Sequence, residues 1–447
     1  MNRLFWLCIL LACSAAVDAR EWDLQPYLNF EHEYTDNVFA SPSPEHDIVT
    51  TVNPGFIFSR NGPLLNVTSM YDYFSRSHQE FVSRETSYSN LNIDGTLGSA
   101  YYAPGLDGSL QFNQSLTSSS GGASLERVLE SNSERISRYY ISPYLRTTES
   151  SDWDAEMRYW NELTRHERQA SLNRDREGFS LKADSPDNMS GFYVGVRFNS
   201  SRERFYNVAN HVNNYSLSSI RVAFRSLPSF LTYLERGYES NRYSLGGRRL
   251  SDQFWMLSTQ WYFDQDSLLA LSVGERFYGE SYEFRFVHRR DVWRVSAQYI
   301  ESISTTISES VSTTTATPFS SELYVEKSVT IEAGLSFRRF EVSATANKIT
   351  RLLQLSDSEN ITYEGNVGLI YTASTLIDVG TYYIGRWMRD GLAERIDRHD
   401  ILRGEINWMV RPEIQAGLTV ERTIRDSSGV ESDYRELSIA ASVNMQY

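Results

Sequence analysis

The sequence predicts an all-β protein: a single transmembrane antiparallel up-and-down β-barrel of about 22 strands (range about 18 to 24), with short periplasmic turns and longer extracellular loops. Three observations support this fold class. Apolar and polar residues alternate with a period of two. Short and long connections alternate along the chain, and no window beyond the N-terminal segment holds 18 consecutive apolar residues. The alternation favours strands, the connections favour hairpins, and the last observation excludes transmembrane helices.

Composition removes several classes of function. The 447 residues carry 43 Lys and Arg against 57 Asp and Glu, and the net charge of −14 argues against a nucleic-acid-binding protein. The only cysteines are Cys8 and Cys13, which excludes a disulfide scaffold, a CxxC zinc site and a cysteine nucleophile in the rest of the chain. With 13% aromatic residues and a mean hydropathy of −0.43, the chain is too polar for a bundle of membrane helices and too aromatic for a disordered protein.

Residues 1–19 are predicted to be a signal peptide. An apolar run from Leu4 to Leu11 follows a short polar start, and small residues at the −3 and −1 positions predict cleavage after Ala19. Two alternatives stay open: a retained anchor helix, and lipoprotein processing at Cys13 in an imperfect lipobox. Residues 20–447 then form the barrel.

The last segment of the chain shows the alternation most clearly. Its apolar positions, separated by Ser, Ala, Asn and Gln, are Leu437, Ile439, Ala441, Val443, Met445 and Tyr447. The same pattern recurs in residues 192–198, 293–299, 340–347, 402–410 and 414–421. Successive side chains of a strand point to opposite faces, so each segment has one apolar and one polar face.

The connections between these segments alternate in length. Tight turns are predicted at residues 59–63, 103–108, 147–151, 185–189, 226–228, 264–267, 289–290, 338–339, 373–375 and 411–413. Longer polar links are predicted at residues 35–46, 117–134, 240–251, 301–320, 387–399 and 423–433, with a short exception at 278–280. Strands of about ten residues with short turns at one end and long loops at the other are typical of an outer-membrane barrel with both ends on the periplasmic side.

The sheet is expected to close on itself. In hydrocarbon each unpaired backbone N–H or C=O costs several kcal/mol, and only a closed sheet lacks unpaired edges. The alternative, a soluble propeller or a tandem set of sandwiches, requires blade-length repeats or domain breaks that the sequence does not show. Val443, Met445 and Tyr447 end the last strand on an aromatic residue, which resembles the signal that barrel-assembly machinery recognises.

The polar face is predicted to line the lumen, because an Arg facing lipid near the midplane costs about 2–4 kcal/mol. The candidate lumen-lining residues are Arg138, Tyr140, Tyr144, Glu156, Arg158, Trp160, Tyr193, Arg197, Arg221, Arg285, Arg294, Arg403 and Glu405. Their mixed signs favour salt bridges between neighbouring strands over a specific binding track.

A sharper hypothesis concerns the aromatic residues of this set. Tyr140, Tyr144, Trp160 and Tyr193 could present ring faces to sugars, and the interleaved Arg residues could bind acidic groups. A barrel of this size is too wide to be filled by its own wall side chains. Its lumen is therefore expected to be open, or plugged by a loop or a partner; strands begin too early for a separate plug domain.

The sequence gives little support for catalysis. The seven histidines are scattered, and HExxH, GxSxG, P-loop and GxGxxG motifs do not occur. We therefore expect neither an enzyme nor a cofactor or metal. The partners expected are outer-membrane lipids, barrel-assembly machinery and a polysaccharide, with no nucleic acid.

The N-terminal part carries a family resemblance. Pro26, the run Tyr34, Thr35, Asp36 and Asn37, and then Pro54 and Gly55 form a strand end followed by a Pro-Gly strand. This pattern resembles the outer-membrane β-barrel proteins associated with PEP-CTERM/exosortase and exopolysaccharide systems of Gram-negative bacteria. The resemblance implies an outer-membrane location after signal-peptide cleavage and a link to surface polymers, and it carries no site residues.

Three functions are compatible with these observations. The first is a channel or accessory protein for exopolysaccharide export. The second is a general diffusion porin, in which residues 301–320 form a constricting loop. The third is a non-conducting scaffold or adhesin whose loops carry the function.

Overall fold

The computed structural model describes residues 22–82, 85–98, 104–116, 133–147, 153–167, 173–185, 191–206, 212–243, 249–308, 320–353, 358–391, 395–428 and 433–447. The predicted signal peptide lies outside these residues. Within them, no helix is long and apolar enough to cross a membrane.

Strands account for most of the described chain. They are β1 (Trp22–Thr35), β2 (Asp47–Asn61), β3 (Leu65–His78), β4 (Thr86–Leu97), β5 (Pro104–Leu116), β6 (Ser133–Arg146), β7 (Asp154–His166), β8 (Arg174–Asp184), β9 (Phe192–Phe205), β10 (Val212–Leu227), β11 (Phe230–Tyr243), β12 (Arg249–Asp264), β13 (Ser267–Arg276), β14 (Gly279–Arg289), β15 (Trp293–Ser308), β16 (Ser320–Phe337), β17 (Phe340–Leu353), β18 (Glu359–Ser374), β19 (Ile377–Asp390), β20 (Arg395–Arg411), β21 (Ile414–Ser427) and β22 (Tyr434–Gln446).

The strands form one closed antiparallel barrel. Each strand pairs with the next along the chain, and β1 also pairs with β22 from Tyr27 opposite Gln446 to Thr35 opposite Ser438. The 22-stranded sheet therefore has no free edge. This confirms the predicted fold class, including the even strand number.

The connections alternate as predicted. One end of the barrel has short turns, of which residues 228–229, 265–266, 338–339, 375–376 and 412–413 are two residues long. The opposite end has the longer links, for example between β1 and β2 and between β5 and β6.

The bounds predicted for several connections are wrong. The turn predicted at residues 103–108 falls on β5, which begins at Pro104, and most of the link predicted at 387–399 is strand, since β19 extends to Asp390 and β20 begins at Arg395. The long link predicted at 301–320 is also shorter. Residues 301–308 belong to β15 and residue 320 begins β16, because the Ser and Thr residues there pair across the two strands up to Ser308 opposite Ser320. A constricting loop, if it forms, is therefore confined to residues 309–319, which lie outside the described residues.

The two faces of the sheet differ in chemistry. Cross-strand partners share a face, and the face carrying Leu257, Val273 and Ile331 exposes large apolar side chains. On the other face, Arg158 of β7 reaches Asp107 of β5 across β6. Contacts that skip a strand form where side chains converge, so the polar face is concave and the apolar face is convex.

Aromatic belts border the apolar band on the convex face. Near the short turns, rings meet in pairs: Trp22 with Phe58, Phe192 with Phe224, Trp261 with Phe263 and Phe340 with Tyr371. Toward the long links, tyrosine hydroxyls donate to carboxylates on the same face, namely Tyr159 to Glu177, Tyr282 to Glu280 and Tyr383 to Asp400. Aromatic rings that carry a polar group at one end are typical of the two membrane–water interfaces.

Two strand prolines leave a ladder position without its N–H donor, and a neighbouring side chain replaces it. Pro54 would face Tyr73, and the side-chain amide of Asn53 donates to the Tyr73 carbonyl at 3.3 Å. Pro143 would face Tyr159, and the Ser142 hydroxyl donates to the Tyr159 carbonyl at 3.1 Å. Both carbonyls thus keep a partner where water is absent.

Closure can be tested by a cross-link. Asn29 of β1 and Asn444 of β22 are directly opposite each other. The double variant Asn29→Cys/Asn444→Cys is expected to form a disulfide on oxidation, seen as a mobility change on non-reducing gels of the folded protein.

The matched control pairs Asn29→Cys with Ser258→Cys of β12, which the strand order places on the far side of the barrel. Equal cross-linking of both pairs, or of neither, would contradict the closed arrangement.

Candidate functional site

The predicted lumen-lining residues all lie on the concave polar face. Their strand neighbours of the other parity, such as Tyr139, Met157 and Val196, are exposed on the convex face. The set comprises Arg138, Tyr140, Tyr144, Glu156, Arg158, Trp160, Tyr193, Arg197, Arg221, Arg285, Arg294, Arg403 and Glu405. The structure spreads them around the wall from β6 to β20 and does not gather them into one pocket.

Arg158 forms hydrogen bonds to three side chains of the wall and contacts an aromatic ring. Its Nη1 donates to Asp107 Oδ2 at 2.5 Å and to Ser142 Oγ at 3.0 Å, and its Nε donates to Glu156 at 2.8 Å. The guanidinium also lies 4.5 Å from the ring centroid of Tyr144. Arg158 therefore ties three strands together and has few donors left for a solute.

Similar ion pairs recur around the wall. Arg276 donates to both carboxylate oxygens of Glu239, at 3.2 and 2.8 Å. Arg403 donates to Glu421 at 2.7 Å. Further pairs are Arg138–Glu162, Arg174–Glu203, Arg221–Glu235, Arg351–Glu326 and Arg386–Glu364. This part of the wall is charge-paired, as the mixed signs of the sequence indicated.

One stretch of the wall departs from this pairing. Arg289 and Arg294 are direct cross-strand partners near the short-turn end, and Arg285 lies on the same face. Among the described residues, Arg285 and Arg289 form no side-chain ion pair, and Arg294 has only Glu341 at 3.9 Å. We call Arg285, Arg289 and Arg294 the arginine patch; the sequence analysis singled out Arg285 and Arg294 and missed Arg289.

A cavity of about 200 Å³ adjoins the arginine patch. Its lining includes all three arginines together with Gln298, Thr330 and one carboxylate, Glu332. The Glu332 carboxylate accepts the hydroxyl of Ser296 at 3.0 Å. The cavity therefore offers guanidinium, amide and hydroxyl donors, which is the chemistry that binds an anionic oxygen.

Aromatic rings of the wall lie flat over glycines. A Cβ added to Gly105 or Gly178 would overlap the ring of Tyr144 or Trp160 on the neighbouring strand. Tyr27 covers Gly55 and Phe254 covers Gly237 in the same way. Glycine at these positions provides the space that the ring fills.

The hypothesis that Tyr144 is a sugar platform is therefore wrong. Tyr144 is 7% exposed, and its ring has Gly105 on one side and Arg158 on the other. Trp160 is held between Gly178 and the Arg176 guanidinium, whose carbon lies 5.0 Å from the ring centroid. The sequence pattern gave the face of each ring correctly but not the neighbours that cover it.

The motif Thr35-Asp36-Asn37 lies where the barrel closes. Thr35 Oγ1 donates to Glu436 at 2.8 Å, and the Leu437 N–H donates to Asp36 Oδ1 at 2.7 Å. Asn37 Nδ2 donates to the carbonyls of Ser41 and Arg435. We call these contacts the seam latch, because they extend the pairing of β1 and β22 beyond its last ladder position.

The second motif, Pro54-Gly55 of β2, is held to β1 by contacts on the concave face. The Tyr27 ring of β1 covers Gly55, and Asn29 Nδ2 donates to Asn53 Oδ1 at 3.1 Å. The Asn53 side-chain amide in turn donates to the Tyr73 carbonyl, which lies opposite Pro54. At the other end of β1, the Tyr447 N–H donates to the carbonyl of Pro26 at 2.9 Å. The residues of the family-like pattern thus act on the joint between the first and last strands.

The link between β1 and β2 packs at the mouth. Asn37 and Val38 are buried. Asp47, at the start of β2 and beyond the apolar band, accepts the N–H groups of Ile48 and Glu80 and lies 2.8 Å from His78 Nδ1. Burial opposes its charge, but these contacts lower the pKa of Asp47 below its usual value.

Within the described residues, no group of three His, Cys, Asp or Glu side chains is placed to hold a metal ion. The charged groups of the wall are distributed as pairs and not as a catalytic cluster. The fold and the wall together define a closed 22-stranded barrel of the outer-membrane type with a polar interior.

Solved structures share this architecture. The chain is similar to the FrpB iron transporter from Neisseria meningitidis, with a TM-score of 0.59, 8% identity, and coverage of 96% of this chain and 83% of that one. It is also similar to the siderophore receptor PirA from Acinetobacter baumannii, with a TM-score of 0.55, 10% identity, and coverage of 95% and 80%. At identities of 8% and 10%, this similarity shows only that the fold is shared. No family model and no curated protein sequence matches the chain.

The ring-over-glycine packing can be tested at Gly178. The variant Gly178→Ala is expected to lose about 1–3 kcal/mol of stability, because the methyl group overlaps the Trp160 ring. Denaturant unfolding in detergent measures the loss.

Gly404→Ala is the control, since a Cβ there meets nothing within 4 Å. Adding Trp160→Ala to Gly178→Ala should cost less than the sum of the single changes. Strict additivity would show that the ring does not rest on Gly178.

The Asp47 contacts predict a pH dependence. A lowered pKa in the folded state means that the charged carboxylate stabilises the fold above the usual value of 3.8, and that this contribution is lost as the pH falls through the folded-state pKa. Asp47→Asn should therefore be less stable than the parent at pH 7, with the difference shrinking at acidic pH.

Thermal unfolding in micelles as a function of pH measures this difference. The control is Asp426→Asn, which is exposed on the convex face. A stability difference for Asp47→Asn that is constant from pH 7 to pH 2 contradicts the assignment.

Proposed function

We propose that the protein is a transport barrel of the Gram-negative outer membrane whose lumen passes an anionic solute. The observation that carries the proposal is the arginine patch. Like charges directly opposite on neighbouring strands are destabilising, yet Arg289 faces Arg294 with Arg285 beside them. The wall pairs most of its other charges, whereas Arg285 and Arg289 form no ion pair among the described residues and Arg294 reaches only Glu341 at 3.9 Å. This local excess of positive charge favours anions at the short-turn end.

The cargo we propose is an acidic surface polysaccharide. The family-like residues at the seam support this choice, because they resemble exopolysaccharide-associated barrels, and guanidinium groups suit carboxylate or phosphate substituents of sugars. Stacking on Tyr144 or Trp160 is not part of the proposal, since these rings are covered.

A second candidate is uptake of an anionic metal chelate. The solved structures with the same architecture include an iron transporter and a siderophore receptor. A siderophore carries anionic oxygens, so the arginine patch would suit it as well.

Planar bilayers test the proposal. The purified protein is expected to conduct, with a reversal potential in a KCl gradient that shows preference for chloride. The triple variant Arg285→Gln/Arg289→Gln/Arg294→Gln should lose most of this preference, because the excess positive charge of the arginine patch is removed. A polyuronate should block the current, and a neutral dextran of equal length should not.

The control is Arg411→Gln/Arg422→Gln, which removes two exposed arginines outside the patch. Steady conductance without anion preference contradicts the proposal and indicates a general diffusion porin. Absence of conductance contradicts it in favour of a scaffold or adhesin. Block by a ferric siderophore but not by the polyuronate assigns the cargo to the second candidate.

A further inference from the structure

A groove of about 840 Å³ lies on the wall of β7 to β11, largely on the convex face. Its lining includes Ser200, Ser216 and Ser240, which are cross-strand partners in one row, and Arg202, Asn214 and Arg242, which form the next row toward the long links. The groove has no part in the lumen described above.

The convex face changes character along these strands. On β9 it passes from Val196 and Phe198 to Ser200 and then Arg202, each step being two residues, or about 7 Å. On β11 the same face carries Leu234, Arg236, Tyr238, Ser240 and Arg242 in that order. From Phe198 to Arg202 and from Tyr238 to Arg242, an exposed ring, a hydroxyl and a guanidinium thus follow one another within about 14 Å.

The guanidinium groups of the groove are available. Arg202 and Arg242 are exposed, and within the described chain neither forms an ion pair or a side-chain hydrogen bond. Glu177, the cross-strand partner of Arg202, instead accepts the Tyr159 hydroxyl at 3.5 Å. Below them Arg236 donates to Gln253 at 3.0 Å.

We infer that this groove binds the phosphorylated headgroup of a glycolipid in the outer leaflet. Two guanidinium groups, three hydroxyls and the Asn214 amide provide donors for phosphate and sugar oxygens. Phe198 and Tyr238, directly below and exposed, provide a surface for the acyl chains, which a free anion does not need. The inference rests on the proposed location of the barrel in the outer membrane.

Native mass spectrometry of the purified barrel in detergent tests the inference. A bisphosphorylated lipid A should be retained, and the fully dephosphorylated lipid A should bind at least tenfold more weakly. The variant Arg202→Gln/Arg242→Gln should weaken binding of the phosphorylated lipid by about tenfold or more, because it removes two charge-assisted contacts.

The control variant Arg411→Gln/Arg422→Gln makes the same change in charge at other exposed positions and should leave lipid retention unchanged. Equal retention by both variants and the parent overturns the inference, as does equal binding of the two lipids. Saturation by inorganic phosphate at the concentration that saturates with lipid shows a site for a free anion and overturns the assignment to lipid.

The bilayer experiment separates this inference from the proposed function. Retention of the phosphorylated lipid by a barrel that shows no anion preference supports the groove and contradicts the proposed cargo. Anion preference without lipid retention supports the proposed cargo and overturns the inference about the groove. The two results depend on different arginines, on the convex and concave faces respectively.

Discussion

The need to satisfy every backbone hydrogen bond in a medium without water determines this architecture. A strand in hydrocarbon requires a neighbour on both sides, so the first and last strands must meet. The pairing of β1 with β22 provides this, and the seam latch continues it past the ladder with side-chain bonds from Thr35, Asp36 and Asn37. The substitute donors beside Pro54 and Pro143 meet the same requirement at single ladder positions. At these positions side chains supply hydrogen bonds that the backbone alone does not.

Curvature then separates the chemistry of the two faces. Side chains converge on the concave face, where Arg158 can reach a carboxylate two strands away, and they diverge on the convex face, where apolar groups remain exposed. Convergence also explains why glycines recur beneath aromatic rings of the wall: a ring needs a partner without a side chain to lie flat. The charge-paired stretches and the arginine patch therefore lie on one concave surface and differ only in how completely their charges are paired.

Much of this arrangement could be predicted from the sequence because a period of two is a strong local signal. The strand number, the alternation of short and long connections and the face of each candidate residue all follow from it. The surroundings of a side chain do not, because they depend on register between segments far apart in the chain. Tyr144 was assigned to the correct face, but the alternation contains nothing about Gly105 or Arg158. Arg289 was missed because it is the last residue of β14, where a turn obscures the pattern. The bonds of Asp36 and Asn37 to residues about 400 positions away were likewise hidden, although the turn chemistry of this motif was visible.

The joint between β1 and β22 makes the order of the strands cyclic in space although the polypeptide is linear. The last described residue bonds to the carbonyl of Pro26, so the start of β1 and the end of β22 are neighbours at the short-turn side. A short peptide could bridge them, and the chain could then be opened at a two-residue turn such as 338–339 without disturbing any strand pair. Circularly permuted forms of this barrel would hold the same set of hydrogen bonds. The seam then differs from the other strand pairs only in the side-chain bonds of the latch.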